Sequence, residues 1–230
     1  MNKNLTISLA ILAVLVIVLT AAAYMSSGPS SAPASNGASP RPGAPDAPAT
    51  ASAEVLVRED SRHLDQVEDA QVTVVEFLDF ECEACGAQFP VMERIREDYD
   101  GRIDFVIRYF PLPGHGNSRP AAAAVEAAAQ QGALEEMYAR MFETQTEWGE
   151  SSESQVEVFT GFAEDLDLDM EEFTAAMVSE ETAERVQADF DDGVTVGVQG
   201  TPTIFVNGVQ TPSMPSYEAL AEMIDAELAE

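Results

Sequence analysis

Cys82 and Cys85 are the only two cysteines among 230 residues, and they form a single C-x-x-C, Cys82-Glu83-Ala84-Cys85. One close pair cannot make a framework of structural disulfides, so the fold must rest on a hydrophobic core. At 46% hydrophobic and 23% charged residues, the chain has enough apolar surface for one medium domain with appendages. The sequence before the motif, Val72-Thr73-Val74-Val75-Glu76-Phe77-Leu78, reads as a strand buried on both faces and broken only by Glu76. A helix is predicted from near Cys82 towards Tyr99, with Phe89, Met92 and Ile95 inward and a kink at Pro90. The motif therefore falls on a strand-to-helix junction. There the free N–H groups and the helix macrodipole favour a thiolate on Cys82, with Cys85 one turn further in. Such a pair can exchange disulfides through a mixed disulfide. The alternatives are an inert bridge, or half of a zinc site completed by His63 and His115, the two histidines of the chain.

The rest of the chain alternates. Residues 103–110 read as a second strand, and Leu134, Met137, Tyr138, Met141 and Phe142 fall on one helical stripe. Ser152 with Gln155, and Asp169 with Glu172, have the spacing of capping boxes, while Ala183, Val186, Phe190 and Val194 mark a further helix. The run 121–129 predicts a tightly packed alanine-rich helix, and Trp148 a packing residue at a helix boundary. Thr203–Val206 reads as a strand, Asn207-Gly208 as a hairpin turn, and Tyr217, Leu220, Ile224 and Leu228 as a closing amphipathic helix. The order β-α-β, helical block, β-β-α predicts an α/β fold over 54–230 with a helical insertion at about 112–195.

Two segments precede it. Residues 5–25 carry no charge and would span roughly 31 Å as a helix, about one bilayer core. With Lys3 before it and Arg41 the next charge, the N-terminus is expected on the cytoplasmic side. Residues 1–25 are thus expected to form an uncleaved single-pass anchor, the alternative being a signal segment cleaved near Ala21-Ala22-Ala23. Residues 26–53 are 24 parts in 28 Ala, Ser, Pro and Gly, which predicts a disordered linker. Either way the domain is expected outside the cytoplasm. The formal net charge of −30 argues against nucleic-acid binding. It suits either high external salt, which screens repulsion among carboxylates, or an ordinary solvated acidic coat.

Glu76 and Pro202 are the other singular residues. A carboxyl inside a buried strand should have a raised pKa; it is either a proton acceptor and donor for Cys85 or a strand position that happens to face water. Pro202, in Gly200-Thr201-Pro202-Thr203, opens a strand, and a cis bond before it would present the Thr201 backbone to an extended peptide. His115, in the loop PLPGHGN, reads as a solvated side chain, with an approach to a substrate groove as the alternative.

Together these residues resemble the thioredoxin superfamily, and within it the DsbA-like exported thiol-disulfide oxidoreductases, over about 60–230. VTVVEFLDFECEAC is similar to the family's strand-to-motif segment and GTPTIFVNG to its cis-proline loop. Pro90 resembles the kinking proline of the first helix, and RYFPLPGHGNS with AAAAVEAAAQQG the start of the helical insertion. The resemblance implies a thioredoxin-like fold with a central mixed sheet. It makes Cys82 the attacking cysteine, Cys85 the resolving one, Glu76 the buried acid, and Thr201 and Pro202 the substrate-binding cis-proline loop. It implies a monomer that needs no cofactor or metal, oxidises thiols of newly exported proteins and is re-oxidised by a quinone-linked membrane partner. A reductase or isomerase using the same site, or a non-catalytic holdase, is the alternative. The chain departs from the family at Glu83-Ala84, where strongly oxidising members carry Pro-His. Glu81 and Glu83 are therefore expected to raise the Cys82 pKa and make the disulfide less oxidising.

Overall fold

The structure, a computed structural model, describes residues 50–229. The expected membrane segment 1–25 and the expected linker, apart from its last four residues, lie outside the described residues. Residues 50–53 have the composition of the linker, yet they join the domain. Thr50 bridges Val209, Ala51 N–H donates to Gly208 O at 2.8 Å, and helix α1 (Ala53–Leu56) follows directly. Backbone pairing with a strand edge is insensitive to side-chain composition, so the boundary moves to about residue 50.

Five strands form one mixed sheet: β1 (Arg62–Asp65), β2 (Val72–Leu78), β3 (Ile103–Tyr109), β4 (Thr203–Val206) and β5 (Val209–Gln210), in the order β1-β3-β2-β4-β5. β2 and β3 run parallel, and the other pairs are antiparallel. The parallel pair is joined through α2 (Glu83–Asp98), a single helix with Pro90 inside it. Between β3 and β4 lie α3 (Ser118–Ala129), α4 (Leu134–Glu143), α5 (Gln145–Trp148), α6 (Val156–Asp165), α7 (Met170–Met177) and α8 (Glu180–Thr195); α9 (Tyr217–Leu228) ends the fold. The sheet, β2 most of all, is apolar because it is covered on both faces. Val74 and Leu78 face the larger core with Met92, Ile95 and Tyr138, while Val75 and Phe77 face a smaller one with Phe110 and Phe205. Alternation along the strand therefore puts Glu76 on the face shared by Val74 and Leu78, the side that also holds both cysteines.

The alanine run works as expected. Ala121, Ala124, Ala127 and Ala128 are fully buried, and their small size lets α3 pack against α4, α6, α7 and α8. Trp148 is buried edge-on against Phe159, with its ring N–H donating to Met141 O at 3.2 Å.

Other local features differ from expectation. β1 is absent from the sequence reading because Arg-His-Leu-Asp buries only Leu64 and has no apolar periodicity. Asp169 does cap α7, accepting the N–H groups of Glu171 and Glu172. Ser152 caps nothing: α6 starts at Val156, and the N–H of Gln155 is taken by Asn117 Oδ1 at 2.9 Å. The stripe expected on α8 is displaced, with Val194 exposed and Thr182, Arg185, Val186, Asp189 and Gly193 buried. The cause is Arg108 on β3, which is wholly buried and pairs with Asp189 and Asp192 of α8. Arg185 adds a second cation to Asp189 at 2.7 Å. A buried ion network, not an apolar stripe, sets the face that α8 presents.

Candidate active site

Beyond the end of β2 the chain turns through Asp79, Phe80 and Glu81 before entering α2. Cys82 is the N-cap residue of α2, extended at φ −73° and ψ 119°, and its N–H donates to Asp79 O at 3.1 Å. The two thiols are free and buried, Cys82 at 6% exposure and Cys85 at 1%. Their environments push them in opposite directions. A hydrogen bond from Cys85, then Thr201 and the N–H groups of Cys85 and Ala84 at the helix start, overcome burial and bring the Cys82 pKa down from 9.0 to about 5. Burial pushes Cys85 well above its ordinary value, as do the Cys82 thiolate beside it and the charge of Glu76. The Asp79 N–H lies 3.5 Å from Cys85 Sγ.

Glu76 is 2% exposed, and its Oε2 is buried without a hydrogen-bond partner. It does not face water. Burial, then the charge of Glu93, raises its pKa from 4.5 to about 8. Tyr138 Oη on the same face is likewise buried and unpartnered, and the Glu76 charge adds to burial in raising it. A neutral carboxyl thus stands behind the resolving thiol near neutral pH.

The Thr201–Pro202 peptide is cis, and the Cys82 thiol lies 3.4 Å from Thr201 O. A cavity of about 480 Å³ opens along this loop, lined by Gly200, Thr201, Pro202, Thr203, Gln210 and Thr211 among others. All five residues singled out from the sequence therefore converge: Cys82 and Cys85 at the helix start, Glu76 behind them, Thr201 and Pro202 in front.

The expected influence of the flanking carboxylates is not what the geometry gives. Glu81 turns away and accepts the Asn117 N–H at 2.6 Å. Glu83 hydrogen-bonds Glu150, which holds Glu83 below its ordinary value and pushes Glu150 up. Neither stands among the chief influences on Cys82.

Two groups at the site escape sequence reasoning. Gln145 of α5 donates to Phe80 O at 2.7 Å and to Cys82 O at 2.9 Å, clamping the motif from the helical block. Its side chain fits only because residue 86 is glycine: a Cβ there would lie 2.1 Å from Gln145 Oε1. A glycine in a helix costs about 1 kcal/mol relative to alanine, and that oddity is the available signal. His115, read as solvated, is instead tethered by Nδ1 to Asp79 Oδ2 at 2.7 Å. The same carboxylate accepts the N–H groups of Leu112 and Glu81 and the Ser118 hydroxyl. His63 is elsewhere, on β1, with Nδ1 2.8 Å from Asp104. Among the described residues no group of three or more His, Cys, Asp and Glu is placed to hold a metal ion.

Comparison with known proteins agrees with this geometry. A family model described as Thioredoxin matches residues 67–226. A probable disulfide bond formation protein D of Bacillus anthracis is 31% identical over 166 residues, covering 70% of this chain and 76% of that protein. A Na(+)/H(+) antiporter NhaA 3 of Salinispora tropica is 36% identical over 171 residues, 74% of this chain but 25% of the antiporter. The chain thus spans about a quarter of the length of such antiporters. Among solved structures, oxidised BdbD of Bacillus subtilis superposes with a TM-score of 0.67 at 24% identity, covering 80% of this chain and 98% of that one. The α-DsbA1 protein of Wolbachia pipientis gives 0.68 at 17% identity over 76% and 94% of the two chains. The chain belongs to the thioredoxin family, among its DsbA-like thiol-disulfide oxidoreductases.

Proposed function

We propose that this oxidoreductase works outside the cytoplasm and oxidises the thiols of newly exported proteins. The carrying observation is the polarity of the pair, with Cys82 lowered to about 5 and Cys85 raised. A substrate thiolate attacks Cys82 of the disulfide, giving a mixed disulfide and releasing Cys85. Glu76 supplies the proton to the Cys85 thiolate. A second substrate thiol then attacks the substrate sulfur of the mixed disulfide, releasing the oxidised substrate and leaving Cys82 as a thiolate. Thr201 and Pro202 hold the extended substrate against the motif. At neutral pH a thiol lowered to about 5 stabilises the reduced form by about 2.7 kcal/mol. That makes the disulfide more oxidising by about 60 mV, which supports the oxidative direction despite Glu83-Ala84.

The setting is part of the proposal. Residues 1–25 anchor the chain with the domain on the extracytoplasmic side, 26–49 tether it, and a quinone-linked membrane protein re-oxidises the pair. The name of the Bacillus anthracis relative, a disulfide bond formation protein, supports the direction. Oxidative refolding of a reduced substrate protein tests it. The disulfide form should restore activity stoichiometrically and Cys82→Ser should not. A chain that reduces insulin readily but cannot oxidise the refolding substrate acts as a reductase.

A further inference from the structure

The turn between β2 and α2 holds Asp79, a carboxylate wholly shielded from solvent. Such a position is costly unless hydrogen-bond donors take the lone pairs, and four donors do so. Oδ1 accepts the N–H of Glu81, two residues on, at 2.9 Å and the Ser118 hydroxyl at 2.5 Å. Oδ2 accepts the Leu112 N–H at 2.9 Å and lies 2.7 Å from His115 Nδ1, which donates because its partner is a carboxylate. Leu112 and His115 belong to the loop after β3, and Ser118 opens α3. The carboxylate therefore ties the turn after β2 to a separate segment of the chain. The backbone of the same residue faces the reacting pair. Asp79 O accepts the Cys82 N–H at 3.1 Å. The Asp79 N–H lies past the last rung of the β2–β3 ladder, Leu78 with Tyr109, and is directed at Cys85 Sγ at 3.5 Å.

We propose that Asp79 is a positioning residue for the exchange reaction: its carboxylate, fixed by the β3–α3 loop, aims the Asp79 N–H at Cys85 Sγ, the sulfur that leaves when the disulfide is attacked. In that step the substrate sulfur bonds to Cys82 Sγ and the Cys82–Cys85 S–S bond breaks. The electron pair of the broken bond stays on Cys85 Sγ as a thiolate, until the Glu76 proton reaches it. The N–H is a donor already in place for that charge. In the reverse step Cys85 loses its proton to Glu76 and attacks Cys82 Sγ, releasing the substrate thiolate, and the same N–H meets the same transient charge. Burial, the Cys82 thiolate and Glu76 push Cys85 up, while the Asp79 N–H acts in the lowering direction. The inference rests on Cys85 being the leaving sulfur.

The test uses the full-length protein, wild type and Asp79→Asn. Asparagine keeps the size but turns an N–H towards donors that need an acceptor, so the anchor of the turn is lost. Two rates are measured: opening of the disulfide by glutathione, and closure of the resulting mixed disulfide. The Cys85 thiolate is transient in both, so its stabilisation belongs to the transition state. Both rates should fall about tenfold, while the equilibrium constant between the two species stays within about threefold. Unchanged rates overturn the proposal. So does a faster variant, the outcome expected if only the carboxylate charge mattered, and so does a fall in one rate alone. Peptide mass of the trapped species tests the underlying assignment separately: glutathione carried by Cys85 instead of Cys82 overturns the choice of leaving sulfur. Should Asp79→Asn fail to fold, Cys82→Ser decides, because Cys85 is then the one thiol whose ionisation the ultraviolet absorbance follows. The Asp79 amide proton should move with that ionisation, and an amide resonance that stays fixed through it overturns the proposal.

Discussion

Glu76→Gln keeps the shape of the buried side chain and removes its ionisation, so it isolates a stability term whose sign is unusual for a carboxylate. The folded pKa is raised from 4.5 to about 8. Between those values the folded state holds a proton that the unfolded chain has released. Stability therefore falls as the pH rises through that window and is level above it. At about 1.36 kcal/mol per tenfold, the full cost on the alkaline side is about 5 kcal/mol. Urea unfolding of the disulfide form is the appropriate assay, because Cys82 then does not titrate and cannot add its opposite pH dependence. Wild type and Glu76→Gln should be nearly equal in stability near the ordinary carboxyl pKa. The variant should become progressively more stable, by several kcal/mol at about pH 9, while its exchange with substrate slows. A constant gap across the range would mean that Glu76 is solvated or paired, and would refute the reasoning.

Three further outcomes are expected. Gly86→Ala drives Gln145 off the Phe80 and Cys82 carbonyls, costing about 1–3 kcal/mol by denaturant unfolding and slowing exchange; the cost should be largely shared with Gln145→Ala in a double-mutant cycle. Arg108→Met leaves Asp189 buried with one cation fewer and should cost about 3–5 kcal/mol, whereas exposed Arg94→Met should cost under about 0.5 kcal/mol. A net charge of −30 predicts a thermal midpoint that rises from low to molar salt as repulsion is screened, and a flat or falling midpoint would contradict the high-salt reading.

What the sequence made legible was whatever leaves a local trace. Glu76 stood out because a carboxyl interrupts a seven-residue apolar strand, and Pro202 because a proline opens another. The cysteines stood out through their strand-to-helix position. Contacts between distant segments leave no such trace. Gln145 lies 63 residues from the Cys82 carbonyl it holds, in a helix whose periodicity says nothing of that contact. His115 and Asp79 are 36 residues apart, and neither alone is distinguishable from a surface residue. The α8 face was misplaced because apolar spacing cannot register that Arg108 and Asp189 are buried as a pair. β1 was missed because an edge strand with one buried side chain carries no period. The influence of Glu81 and Glu83 on Cys82 was overstated because proximity in sequence does not reveal that each carboxylate has a partner of its own.

The division of labour between the two thiols is the core of the account, and alkylation rate against pH measures it directly. The reduced full-length protein is treated briefly with iodoacetamide at each pH and the modified cysteine identified by peptide mass. Cys82 should react alone across the acidic and neutral range, with a midpoint at about 5, and Cys85 should stay unmodified until well above the ordinary thiol value. Parallel reaction of both cysteines with a midpoint near 9.0, or earlier reaction of Cys85, would contradict it.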